Sequence, residues 1–243
     1  MIFNQLVLHP LDVKNKVNDS LERKESLLLT YFNQNCLNIY FTNPVYKKLV
    51  DSQFTIYQAD IGIFFALKIF GKKSIKRIDA TEMNMILLEE LIKNKIPVAI
   101  VGGNFQDEFV KEMVIKRGMN LTAYCNGFFS EKETPEVINN LVHSACRVVM
   151  IGMGVPKQEL LALELSESLS SPIIVCVGNF FEFYFKTKLR APIFFRKIGL
   201  EWMFRLLTEP LRLWKRYLIG IPVFFYQVIK LKLSKVDNFS NRA

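Results

Sequence analysis

Three short apolar runs, residues 98–101 (VAIV), 148–151 (VVMI) and 173–177 (IIVCV), each break directly into glycine, at Gly102, Gly152 and Gly178. Unbroken runs of this length suit strands buried on both faces, as in a parallel sheet, because a strand with one wet face would alternate. Helical spacing fills the intervals. Residues 106–117 form an amphipathic stretch stopped by Gly118, residues 134–144 carry Pro135 at the first position, and residues 158–168 follow Pro156. Strand, glycine loop and helix in alternation predict a parallel sheet flanked by helices. Ligands of such sheets sit beyond the carboxyl ends of the strands, where these glycines stand.

The first half gives weaker signals. Residues 37–41 and 54–59 read as strands, the latter ending in Asp60 with Gly62 two positions on. Residues 20–30 read as a short helix capped by Asp19, with further helical segments at 45–50, 61–70 and 83–95.

Charge is distributed unevenly. The chain of 243 residues carries a net +9, yet from Phe185 onward stand thirteen Lys/Arg against three acids, so the whole basic excess belongs to the last quarter. A basic tail rich in aromatics suits anionic lipid or nucleic acid. The apolar stretch 217–229 favours lipid, and no nucleic-acid partner is expected. It is shorter than the roughly 20 residues of a spanning helix and contains Pro222, so it is expected to lie in the interface. The plainer alternative is a C-terminal helix packed on the body or on another copy in a homo-oligomer. The N-terminus, MIFNQLVLHPLDVKNK, lacks a basic head and a small-residue cleavage site, so no signal peptide is expected. Cys36, Cys125, Cys146 and Cys176 show no CxxC spacing and read as reduced cytosolic core residues.

Candidate site residues follow from the loops. In VVMIGMGVPKQE, Gly152 and Gly154 form a Gly-x-Gly turn leading to Pro156, a helix-starting residue, which is local grammar for an anion site. Lys157 can face phosphate, and the amide of Gln158 can both donate and accept toward a sugar hydroxyl. Glu159 favours the helix dipole. Gly102 and Gly103 allow close backbone approach to a ligand, although a tight turn explains them equally. Thr42 and Asn43 are placed at a strand end, as sugar ligands or as a simple Asn-Pro turn. Arg77 can pair with phosphate, or with Asp79 or Glu82. Arg205, Arg212 and Arg216 recur at spacings of seven and four, near one face of a helix unless Pro210 breaks it. Guanidinium groups bind phosphate bidentately, so this row can neutralise a diphosphate or touch lipid phosphates. His9 and His143 are isolated, no DxD pair stands at a strand end, and no metal site or cofactor is expected. A GxSxG elbow, a Walker loop and a complete GxGxxG are all absent from the sequence.

The segments VVMIGMGVPKQE and RAP followed by GLEWMFRLLTEPLRLWKRY resemble the patterns of the WecG/TagA/CpsF bacterial glycosyltransferases, glycosyltransferase family 26. Weaker matches stand at Asn43, Asp60 with Gly62, Arg77 with Thr81, and Gly102-Gly103. Ile61, Ala80, Glu82, Glu182 and Lys186 depart from the pattern; a glycine is usual near Lys186. The resemblance implies an α/β, Rossmann-like core over residues 1–184 and a basic, aromatic-rich helical appendage over 185–243, associating with a membrane. It implies an inverting, metal-independent transfer of a hexose-type sugar, N-acetylmannosamine-like or uronic acid-like, from a UDP-sugar to a polyprenyl-diphosphate-linked saccharide. The cytoplasmic face of the membrane is its place. Asp60, at a strand end, matches the family's base, unless it only caps a helix at a strand-to-helix turn; Gln158 and Arg77 are the other candidate catalytic residues. The departures also fit an alternative, a nucleotide-sugar-binding or scaffolding subunit whose catalysis has been lost. The whole expectation depends on the arginine-bearing tail folding back over the Gly152 loop.

Overall fold

A computed structural model of the chain describes residues 2–240, with side chains up to Ser234. In order along the chain stand α1 (Pro10–Arg23), β1 (Leu27–Phe32), α2 (Gln34–Thr42), α3 (Pro44–Gln53), β2 (Thr55–Gln58), α4 (Ile61–Ile69) and α5 (Ala80–Lys93). There follow β3 (Val98–Gly102), α6 (Asp107–Lys116), β4 (Leu121–Cys125), α7 (Thr134–His143), β5 (Val148–Gly152), α8 (Lys157–Ser168) and β6 (Ile173–Cys176). The tail comprises α9 (Phe180–Tyr184), α10 (Ile193–Lys197), α11 (Glu201–Thr208), α12 (Pro210–Trp214), a π-helical turn (Lys215–Ile219) and α13 (Gly220–Ser240).

The six strands pair in parallel in the order β2-β1-β6-β5-β3-β4, the Rossmann-like architecture the glycine-terminated runs predict. Alternate residues of each central strand feed two different cores. Val98, Ile100, Val148, Met150, Ile173 and Val175 face α1, α5, α6 and α9, whereas Ala99, Val101, Val149, Ile151, Ile174 and Cys176 face α7 and α8. Both faces are dry, which is why the strands show no polar alternation. At the carboxyl ends the backbones of β3, β5 and β6 close on one another. A Cβ added at Gly102 would come within 2.5 Å of the Gly152 carbonyl oxygen, and one at Gly152 would collide with the Gly178 carbonyl. Any side chain at these two positions would wedge the strand ends apart.

The first half corrects two sequence expectations. LLLTYF is not part of a helix: α1 stops at Arg23 because Lys24 turns left-handed at φ 56°, and the run becomes β1 between β2 and β6. Residues 37–41 are not a strand but the second half of α2, whose N-terminus is held by Asn33 accepting from the Cys36 N–H. Thr42 and Asn43 therefore stand at a helix end.

The tail shares the body's core. Phe224 and Val228 of α13 are buried among Phe32, Leu37, Tyr46, Ile63, Leu67 and the N-terminal Ile2 and Phe3. Gln34 and Asn38 of α2 donate side-chain hydrogen bonds to the carbonyls of Arg216 and Gly220 at 3.1 and 2.7 Å. Pro210 does end a helix, with Glu209 at φ −134°, ψ 57° separating α11 from α12. Pro222 does not, because it falls in the first turn of α13 just after the π-helical turn, a common place for a helix to absorb a proline. Residues Pro210–Ser234 form one helical stretch, longer than residues 217–229 alone, that by length and composition only is long and apolar enough to cross a bilayer, while its Phe224 and Val228 are buried in the body.

Candidate active site

Two cavities open at the carboxyl ends of the strands and meet at Asn33, Arg205 and Arg216. The first, about 560 Å³, is floored by the loops after β5 and β6 and will be termed the glycine cavity; Gly103, Gly152, Gly154, Lys157, Gly178 and Asn179 line it. Arg205, Arg212 and Arg216 of the tail stand over that floor, so the fold-back that the sequence requires is present. Arg205 and Arg216 make no ion pair among the described residues, and the Nε of each is buried without a partner. Their guanidinium groups lie 5.6 Å from the ring centres of Phe183 and Tyr217. Arg212 differs: it is exposed, and its Nε is held by Glu209 at 2.7 Å.

The second, the carboxylate cavity, measures about 400 Å³ and is lined by Asp60, Arg77, Asp79 and Glu201 together with apolar residues of α4, α11 and α13. Asp60 caps α4. Its Oδ1 accepts from the Ile63 N–H and its Oδ2 from the Gln34 N–H, both at 2.8 Å, so it ties the start of α4 to the start of α2. Its backbone sits at φ 142°, a region that side chains rarely adopt and that favours glycine. Enclosure by protein pushes its carboxyl up from 3.8 to about 6, against the pull of these N–H donors and of Arg216. Asp60 also lines the cavity, so its carboxyl meets that space as well as the backbone donors. Arg77 donates weakly to the Lys197 carbonyl at 3.4 Å and pairs with neither Asp79 nor Glu82, which are taken by Arg190 and Arg196.

Several sequence candidates lie elsewhere. Gln158 is fully buried: its Oε1 accepts from the Gly178 N–H at 3.0 Å and its Nε2 donates to Glu159. One end of the amide thus holds the loop after β6 and the other is tied to Glu159. Glu159 is equally buried and accepts from Thr30 at 2.8 Å; burial raises its carboxyl, and its place in the first turn of α8 is where an acid favours the helix dipole. Thr42 is exposed and donates to the Asn38 carbonyl, while Asn43 caps α3, and neither lines a cavity. Gly102 and Pro156 shape the loops without lining them.

Sequence reasoning missed Asn33 and Asn35, which line the glycine cavity at the end of β1, because that strand was read as helix. It also missed Glu201, Trp202 and Asn179; the Nδ2 of Asn179 is buried without a partner. The larger groove of about 920 Å³ between α7 and α8 shares Phe129, Met153 and Lys157 with the glycine cavity but contains neither Asp60 nor a tail arginine. Chemistry therefore centres on the two smaller cavities. Among the described residues no three His, Cys, Asp or Glu side chains are grouped to hold a metal.

A Rossmann-like sheet whose strand ends face two guanidiniums without an ion-pair partner among the described residues, with a carboxyl of raised pKa beside them, has an arrangement suited to binding phosphate. Comparison with known sequences narrows the class: the model described as "Glycosyl transferase WecG/TagA/CpsF family" matches residues 4–238, and the chain belongs to that family and is a glycosyltransferase. A relative from Bacillus spizizenii, 29% identical over 193 residues covering 77% of this chain and 73% of its own, is an N-acetylglucosaminyldiphosphoundecaprenol N-acetyl-beta-D-mannosaminyltransferase.

Proposed function

We propose that this glycosyltransferase moves an N-acetylmannosamine-like or uronic acid-like sugar from a UDP-sugar to a polyprenyl-diphosphate-linked saccharide, with inversion, in cell-surface polysaccharide assembly. The observation that carries the reading is the junction of the cavities. Arg205 and Arg216, both without a carboxylate partner, stand between the glycine floor and Asp60. In this reading the UDP diphosphate lies under the arginines, with Lys157 at the rim. The acceptor hydroxyl oxygen attacks the anomeric carbon, its proton passes to Asp60, and the bond to the phosphate oxygen breaks with its electron pair leaving on UDP. Guanidinium groups supply the positive charge that the leaving diphosphate needs. The relative's name supports both the sugar and the lipid-diphosphate acceptor.

The tail also supports a place at the cytoplasmic membrane surface. One face of α13 is built into the core, while Leu211 (93% exposed), Leu207, Leu218, Tyr226, Ile229 and Leu233 stay exposed beside Lys215, Lys230 and Lys232. Exposed apolar side chains edged with lysine suit the headgroup boundary of an anionic bilayer. The deciding experiment incubates the protein with a panel of UDP-sugars and a short-chain polyprenyl-diphosphate-linked N-acetylglucosamine, with anionic vesicles present. A disaccharide product of inverted configuration is expected from one donor. Donor binding with no product from any of them would leave the non-catalytic subunit instead.

A further inference from the structure

Glu201 is a carboxylate on the wall of the carboxylate cavity that makes no hydrogen bond and no ion pair within 4 Å among the described residues. Its neighbours on that wall are engaged. Asp79 accepts from the Glu82 N–H and pairs with Arg190 at 2.8 Å, and Asp60 accepts two backbone N–H groups. Arg190, Arg196 and Arg205 surround Glu201 at longer range and draw its carboxyl down, but burial and the charge of Asp79 outweigh them and raise it. Next to it, Trp202 lines the same cavity and leans on Tyr217, with ring centres 5.9 Å apart at 56°. Both residues line this cavity and not the glycine cavity, whereas Arg205, one turn further along α11, lines both.

A carboxylate with free lone pairs beside an aromatic ring is a chemical match for a pyranose, whose hydroxyls donate hydrogen bonds and whose C–H face packs on an aromatic ring. The cavity's outer wall decides which of two sugars sits there. Phe65 of α4 and Ile198 and Phe225 of the tail line it and are 51%, 48% and 41% exposed, so this compartment continues onto an apolar outer surface shared by α4 and the tail. A sugar carried on a lipid enters from such a surface, and a sugar carried on a nucleotide enters from the glycine side.

We propose that Glu201 and Trp202 form the subsite for the acceptor's sugar ring, with the Glu201 carboxylate accepting hydrogen bonds from ring hydroxyls so that the attacking hydroxyl is turned toward Asp60. The assignment rests on the proposed transfer and adds residues to it. It accounts for an otherwise idle carboxylate that lines the same small cavity as Asp60.

The test uses the full chain with Trp214→Phe, which leaves Trp202 as the sole tryptophan of the two. Short-chain polyprenyl-diphosphate-linked N-acetylglucosamine is titrated while Trp202 emission is followed, and steady-state kinetics are run in parallel. Saturable quenching is expected. In Glu201→Ala the acceptor's apparent Kd and KM should rise at least tenfold, with the donor KM and the UDP affinity within about twofold, and Glu201→Gln should recover part of the loss. Should Glu201→Ala fail to fold, Trp202→Leu, followed by steady-state kinetics alone, should raise the acceptor KM at least tenfold and leave the donor KM within about twofold. Saturable quenching without product in any variant would overturn the transferase reading and keep the subsite. Product formation with no Trp202 response, or with acceptor and donor KM shifted equally, would overturn the subsite and keep the transferase. An acceptor that neither binds nor reacts would overturn both.

Discussion

The two cavities share three residues and differ in what they are made of. The glycine cavity is floored by backbone: strand ends of β3, β5 and β6 pressed together, with Gln158 and Glu159 buried beneath as struts. The carboxylate cavity is walled by side chains from helices, and two of its walls, α11 and α13, come from the far end of the chain. A backbone floor tolerates little change but needs no tail to exist. A wall of docked helices can be taken away, and one half of the chemistry goes with it.

The largest effect should therefore fall on Asp60. Asp60→Asn is expected to lower kcat/KM for transfer by roughly 10²–10⁴-fold, while UDP affinity measured by calorimetry stays within about threefold. For the wild type, the base must be unprotonated, so kcat/KM should climb with pH through about 6 and level off above it. A rate flat down to pH 5 would remove Asp60 from the proton transfer. Next in size, Phe224→Ala opens the core under α13 and should cost about 3–5 kcal/mol in denaturant unfolding. Acceptor turnover should fall further than UDP binding, and an equal loss of both would erase the distinction between the cavities. Smaller again, Arg216→Ala removes an unpaired guanidinium from the junction and should weaken UDP by about 1.5–3 kcal/mol. Arg212→Ala should cost less, since Glu209 already engages that side chain. Smallest, Lys186 holds φ 60°, where glycine is at ease. Replacing it by glycine should raise stability by about 0.5–1 kcal/mol, the left-handed strain less the entropy of glycine, with no change in turnover.

The same division explains what the sequence disclosed. The glycine floor was legible because buried parallel strands and the glycines ending them leave a local signature, and α6, α7 and α8 announce themselves by period and by Gly118 or Pro135. The site's other half was not. LLLTYF has the apolar density of a strand and of a buried helix alike, and only its pairing with β2 and β6 selects the strand. Misplacing β1 hid Asn33 and Asn35 and moved attention to Thr42 and Asn43. Gln158 illustrates a different limit: a polar residue after a glycine loop can face ligand or core, and the Gly178 N–H, twenty positions away in sequence, is what turns it inward. Asp60 was found through its resemblance, but its raised pKa depends on enclosure by α2, α4 and α13, which no local pattern records.

The packing of Phe224 and Val228 against Ile2, Phe3 and Phe32 has a consequence for the order of events during synthesis. The strands and the glycine loops emerge from the ribosome before α13 does, so the sheet can form while this cluster is still uncovered. Until α13 arrives the nascent protein has the glycine floor but lacks the α13 wall beside Asp60, and it exposes the apolar flank that Phe224 and Val228 later cover.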